Sequence, residues 1–346
     1  MEEITGAVSD RCAADVIVVE SALAVGAGDR DYLIAQSDLV EVLSFGGDTD
    51  VSVETSAGGP VEEIAGTPVL RLADEIVPIV TLVDLLEPGR GPSSAGTRLV
   101  VVEADGRRLG LRVARIGGLE DVAVQPVNTR LVGGGHFSGC AVRDDGSLSL
   151  MLDVGVLLGR VALDPAPTSR RATAPANGVA KGSTNGSPVR IVAVDGRPVG
   201  AGDSGVATYA TFDVGGCRYG IDAADVCEIV PGREISPVPM SAPGVAGLVN
   251  AQGRATVAID LRILLGVDPD TNAGGSTEIV LDGIHGPVAL IVDRIDDVLD
   301  AERSRLAQRP ATLPTPIRDL VAAVQRFDSG LLPVIDLGMV TGAVAR

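Results

Sequence analysis

The sequence predicts an all-β chain built from two copies of one module. Three observations carry that reading. Short apolar runs alternate at period two and are broken by Gly- and Asp-rich turns. The second half repeats the first: Asp38-Leu-Val-Glu-Val-Leu43 returns as Asp225-Val-Cys-Glu-Ile-Val230, and residues 76–86, 113–116 and 145–154 return as 255–265, 292–295 and 328–337. The offsets of 187, 179, 179 and 183 residues describe one duplication of about 140 residues. Between the copies, residues 164–205 lose all hydrophobic period and become rich in Pro, Ala, Gly and Ser, with five basic and three acidic residues. That is the composition of a flexible linker. The expected divisions are therefore 1–163, 164–205 and 206–346.

Taken in order, residues 14–43 read as strand, turn and strand, with the turn at 26–30. Residues 67–86 continue the β pattern, and Pro68 and Pro78 should confine those runs to strand starts or sheet edges. Residues 98–102 and 109–116 form a hairpin around Asp105-Gly106. A glycine-rich loop at 133–139 precedes a strand pair that turns at 144–146. Residues 189–199 offer one further strand to the second module. From Tyr209 the β pattern resumes, and its centre is residues 245–265, read as strand, tight turn, strand and a short helical or strand-like continuation. Gly253 supplies the positive φ that such a turn needs.

Composition narrows the function. At 346 residues the chain can bury two full cores. Aromatics make up 2% and Trp is missing, which argues against recognition of bases or sugars by stacking. A net charge of −18 repels nucleic acid and anionic membrane surfaces. Cys12, Cys140, Cys217 and Cys227 form no CxxC pair and read as reduced thiols. The acidic start, MEEITGAVSDR, is unlike a basic signal peptide, and no apolar run approaches the ~20 residues of a membrane helix, so a soluble cytoplasmic chain is expected.

No catalytic constellation emerges. His136 and His285 are the only histidines and sit in glycine-flanked turns; His136 beside Ser138 lacks the strand-to-helix elbow of a nucleophile. Lys181-Gly-Ser-Thr has phosphate-loop composition in the wrong order, and Gly26-Ala-Gly28 opens no helix. The acid pairs Asp144-Asp145 and Asp296-Asp297 read as solvated turns. The expectation is no enzyme, no metal and no cofactor.

The second module nevertheless carries a run of elements that resembles a CheW domain, the coupling module of chemosensory arrays. They are Tyr209-Ala-Thr-Phe212, Tyr219-Gly-Ile221, Val226-Cys-Glu228-Ile229, Ile235-Ser-Pro-Val-Pro239, Gly247-Leu-Val-Asn250, Ile259-Asp-Leu261, Ile291-Val-Asp293 and Leu332-Pro-Val-Ile-Asp-Leu337. In the first module, Gln125-Pro-Val127, His136-Phe-Ser-Gly139 and Asp145-Gly146 leading to Leu152-Asp-Val154 resemble the regulatory domain of a CheA histidine kinase, itself of CheW type.

The resemblance implies, for each module, two SH3-like five-stranded β-barrels. It implies a scaffold that joins the cytoplasmic tips of chemoreceptors to the regulatory domain of a CheA-type kinase. Val226, Glu228 and the corner formed by Asn250, Gln252 and Arg254 fall on partner-contact positions, and the duplication puts Leu39 and Glu41 in the matching places of the first module. One departure stands out: the family's Asn-x-Arg-Gly has Gln252 in place of its Arg, with Arg254 two residues later, and an amide does not replace an Arg fork. The runner-up reading is a competitor or regulator in a non-flagellar pathway such as pilus motility or development. A tether of about 40 residues spans roughly 35 Å as a coil and would hold the two modules at millimolar effective concentration.

Overall fold

The structure is a computed structural model that describes residues 18–44, 58–64, 66–72, 75–87, 98–128, 131–132, 135–143, 145–163, 205–267, 276–283, 286–328 and 330–345. The expected linker and the added strand at 189–199 lie outside these residues apart from Gly205, as do Cys12, Asp144, Lys181 and His285. The first module contains β1 (Val18–Ala27), β2 (Arg30–Ala35), β3 (Leu39–Ser44), β4 (Gly58–Ile64), β5 (Thr67–Leu72), β6 (Glu75–Thr81), α1 (Leu82–Leu86), β7 (Arg98–Ala104), β8 (Arg107–Val113), β9 (Arg115–Gln125), β10 (Phe137–Val142), β11 (Leu148–Leu152) and α2 (Val154–Leu163). The second contains β12 (Val206–Val214), β13 (Cys217–Asp222), β14 (Val226–Pro231), β15 (Val245–Ala251), β16 (Arg254–Asp260), α3 (Leu261–Leu265), β17 (Thr277–Leu281), β18 (Val288–Val292), β19 (Arg294–Glu302), β20 (Leu306–Gln308), α4 (Thr315–Leu320), β21 (Val321–Phe327), β22 (Gly330–Ile335) and α5 (Leu337–Val344).

Strands β1-β2-β11-β10-β9 close a barrel, and β3-β7-β8-β6-β5-β4 form the other sheet of the first module. The second module repeats both as β19-β12-β13-β22-β21-β20 and β14-β17-β18-β16-β15. Two features depart from strict repetition. β4 adds a sixth strand at an edge, and a 3-10 turn at Arg303–Arg305 separates β20 from β19. Closure is helped by ladder irregularities at matching places, between Leu23 and Val25 on β1 and between Ala210 and Phe212 on β12. Such bulges raise the local twist and let a sheet curl onto itself.

Pro78 corrects an expectation. It lies in the middle of β6, an interior strand. The strand changes partner there: Glu75 to Pro78 pair with β5, whereas Ile79 to Thr81 pair in parallel with β8. A residue without an N–H is tolerated at the changeover because the β5 ladder ends at it and the β8 ladder begins one residue later. The hairpin of β15 and β16 is as expected, with Asn250 opposite Ala255 and Ala251 opposite Arg254. Its two turn residues, Gln252 and Gly253, both have left-handed backbone, φ 54° and 81°. That is the two-residue turn whose twist matches the strands. The continuation is helical: the Asp260 carboxylate accepts from the Arg262 N–H at the start of α3, and Gly266 ends it in the left-handed conformation.

Four of the scarce aromatics pair, two in the first module's barrel and two in the second module's six-stranded sheet. Tyr32 stacks on Phe137 at 6.2 Å, and Phe212 on Tyr219 at 6.3 Å. One contiguous cluster of buried side chains takes in both modules, from Tyr32 and Phe137 to Leu248 and Phe212. Among the described residues, no helix is long and apolar enough to cross a membrane.

Burial pushes the Cys140 thiol up to about 12, whereas Cys217 is exposed. A thiol-specific reagent at about pH 8 should therefore modify Cys217 in the native chain and Cys140 only after denaturant is added, read by peptide mass. Burial, followed by the neighbouring Cys217, also raises Tyr219 from 10.0 to about 12. A phenol held neutral by the fold is fully accommodated below its unfolded pKa, and its contribution is lost as pH rises through the folded value. Wild-type stability should fall between pH 10 and 12, and Tyr219→Phe, which keeps the ring, should lose measurably less in urea titrations over that window.

Candidate functional site

β14 is an edge strand, paired through β17 on one side only. Val226 lies opposite Leu281 and Glu228 opposite Val280, with a ladder irregularity between them. Val226 to Val230 are all half-buried, so the strand offers a mixed apolar and polar ledge rather than a fully packed face. Glu228 is not a free carboxylate. Arg233 Nη2 donates to its Oε2 at 2.8 Å.

The same guanidinium reaches two other elements. Arg233 Nη1 donates to the Asn250 carbonyl at 2.7 Å, and Nε lies 3.4 Å from a carboxylate oxygen of Glu278 on β17. The Arg233 backbone N–H donates to the other Glu278 oxygen at 2.7 Å. Glu278 is 1% exposed. A carboxylate so deeply placed requires a cation and hydrogen bonds beside it, and Arg233 supplies both. One side chain thereby fixes the ledge at Glu228 and the hairpin corner at Asn250 as a single rigid piece. The corner holds a guanidinium although Gln252 does not provide it.

The corner itself is occupied from within the chain. Asn250 Oδ1 accepts from the Gly253 N–H at 2.8 Å, which locks the turn, while Nδ2 donates to the Gly146 carbonyl of the first module at 3.0 Å. Gln125, at the end of β9, lays its carboxamide along the hairpin: Nε2 donates to the Gly253 carbonyl at 2.6 Å and Oε1 accepts from the Ala255 N–H at 3.0 Å. A side-chain amide here satisfies one outward donor and one outward acceptor, as a neighbouring strand would. Arg30 Nη1 donates to the Pro237 carbonyl at 3.0 Å, and Arg160 Nη1 approaches Met240 Sδ at 3.3 Å. Barrel strands of the first module are thus seated on the β15–β16 corner of the second. Beside the contact runs a cleft of about 340 Å³, with Arg30, Asp31, Arg143, Asp145, Glu234 and Ser236 among its lining residues.

Of the residues expected from sequence, Val226, Glu228 and Asn250 belong to this connected surface. Gln252 is exposed at the tip of the turn, and Arg254 is half-buried beside it. Leu39 and Glu41 stand on β3, the edge of a different sheet, where the neighbouring Val40 and Val42 are exposed. His136 is buried, with Nε2 2.8 Å from Arg160 Nη1, while Ser138 is exposed; the two form no nucleophile–base pair. Among the described residues, no group of three or more His, Cys, Asp or Glu side chains is placed to hold a metal ion. Arg233, Gln125 and Gly146 carry the site's geometry; the sequence pattern does not single out Arg233, and it names Gln125 and Gly146 only as carriers of the resemblance, not as contacts between modules. The partners of Gln125 lie 128 and 130 residues away, beyond any local pattern.

Comparison with known proteins agrees with this architecture. A CheW-like domain is matched at residues 21–162 and again at 208–344. The chain is 27% identical over 130 residues to the chemotaxis protein CheW of Bacillus subtilis, covering 37% of this chain and 83% of that protein. It is 26% identical over 143 residues to the sensor histidine kinase CheAY of Helicobacter pylori, covering 41% of this chain but only 16% of the kinase. Among solved structures, the scaffolding protein TtCheW of Thermoanaerobacter tengcongensis matches at 23% identity and a TM-score of 0.36, over 38% of this chain and 89% of that one. With two matched domains that together span most of its length, the chain belongs to the family of proteins built from CheW-like domains.

Proposed function

We propose that the chain is a non-enzymatic adaptor of chemosensory signalling that couples chemoreceptors to a CheA-type histidine kinase. In this reading two modules, residues 1–163 and 206–346, are joined by the linker at 164–205, and the protein works in the cytoplasm at receptor arrays. The observation that carries it is the connected surface of the second module, an open strand edge and a hairpin corner held in one geometry by Arg233.

The two parts of that surface suit different partners. The corner already receives a CheW-like barrel from its own chain, through Gln125 and Gly146. The regulatory domain of the kinase, which presents a barrel of the same family, is assigned to it. The β14 ledge is left for the receptor tip. Val226 and Ile229 there are half-buried apolar side chains flanking a fixed carboxylate, a combination that suits the apolar stripe and polar flank of an amphipathic helix. No step of this function needs a cofactor or a metal.

The test is calorimetric titration of the full chain with a receptor-tip fragment from the same organism. Micromolar binding is expected, weakened at least tenfold by Val226→Asp or Glu228→Ala with the fold intact by circular dichroism. Absence of binding by the wild-type chain, or equal affinity for all three proteins, would overturn the assignment of β14.

A further inference from the structure

We infer that the first module is a built-in competitor: its barrel occupies the corner of the second module that a kinase regulatory domain would take, so that the chain is held closed until the two exchange. This rests on the adaptor reading above and adds a regulatory state to it.

The argument begins with what the seat is made of. Each directional contact across it is polar, from Gln125, Asn250, Arg30 and Arg160. Apolar packing is continuous across the modules, but it is non-directional, and these polar contacts are what fix which barrel face is seated. The Gly253 carbonyl and the Ala255 N–H are backbone groups that must find a partner wherever they are taken out of water. Gln125 provides one now; a second barrel offering an amide in the same place would satisfy them equally well. The exchange therefore costs little in hydrogen bonding, and which barrel is seated is decided by concentration.

Concentration favours the resident. A covalently tethered module competes at an effective concentration of the order of millimolar, against an external partner far more dilute. An external barrel then binds with an apparent Kd raised in inverse proportion to the open fraction. Arg233 holds Glu228 and the Asn250 carbonyl at once, and Asn250 holds Gly146.

The test uses the full-length chain with Arg30→Glu and Gln125→Glu together, both changes lying in the first module and away from β14. A carboxylate at position 125 cannot donate to the Gly253 carbonyl, and a carboxylate at position 30 cannot donate to the Pro237 carbonyl. Three quantities are measured: the radius of gyration by small-angle scattering, and the affinities for a CheA-type regulatory domain and for a receptor-tip fragment by calorimetry. The variant should expand and bind the kinase domain at least tenfold more tightly, while its affinity for the receptor tip stays within twofold. An expanded chain that binds the kinase domain no better would overturn the proposal while leaving receptor coupling intact. So would a variant that stays as compact as wild type, because these two side chains are the ones argued to hold the seat. Receptor-tip binding without kinase binding by either form would overturn it too, and loss of both would fall on the adaptor reading itself. Gln125→Ala, which removes the carboxamide without adding charge, repeats the measurement should the double variant lose its fold.

Discussion

Glu278 is 1% exposed, and a carboxylate in that position is tolerable only with a cation and donors around it. Arg233 is that cation, and its reach organises the second module's surface. The backbone N–H and Nε of Arg233 face Glu278, Nη2 faces Glu228, and Nη1 faces the Asn250 carbonyl. The electrostatic need of one buried acid thus orders an edge strand and a hairpin that would otherwise move separately. If this surface serves the proposed coupling, that arrangement has a use, because order already present in the free protein need not be imposed at the moment of association.

The relation between the modules follows from a second constraint, the obligation of exposed backbone groups to find partners. A two-residue turn leaves the tip of a hairpin with N–H and C=O groups aimed outward. In the second module those groups meet a glutamine from the first, 128 residues earlier in the chain. The duplication therefore did more than double the number of modules. It placed the barrel face of one copy against the sheet corner of the other, a contact between unlike surfaces of like domains.

Much of this fold is legible in the residue pattern, because strands declare themselves locally. The period-two runs, the Asp105-Gly106 and Gln252-Gly253 turns and the four repeated segments all rest on neighbours in sequence, and they stand where the pattern puts them. Pro78 departs from the pattern for a physical reason: the rule that excludes proline from interior strands assumes one ladder along the whole strand, and β6 belongs to two. The candidate contact surface is legible only in part. Val226, Glu228 and Asn250 can be named from resemblance, but the guanidinium that makes them one surface lies in a loop with no period of its own. Gln125 is legible as part of the Gln125-Pro-Val127 resemblance but not as a contact to the other module. Its role depends on the placement of a second domain, which no local signal records.

The duplication also raises a hazard that one small residue removes. A chain with two copies of one module and a single contact between unlike faces holds the ingredients of a fibre, since a free face at either end can repeat the mated one in the next molecule. Here the repeat is imperfect where it matters. Cys140 on β10 pairs with Gln125, whereas its counterpart Val324 on β21 pairs with Ala307. The second module thus carries a methyl group where the first carries the carboxamide, and a methyl group can neither donate to a turn carbonyl nor accept from a turn amide. The joint that Gln125 makes in the first module therefore has no equivalent side chain at Ala307 with which the second module could repeat it.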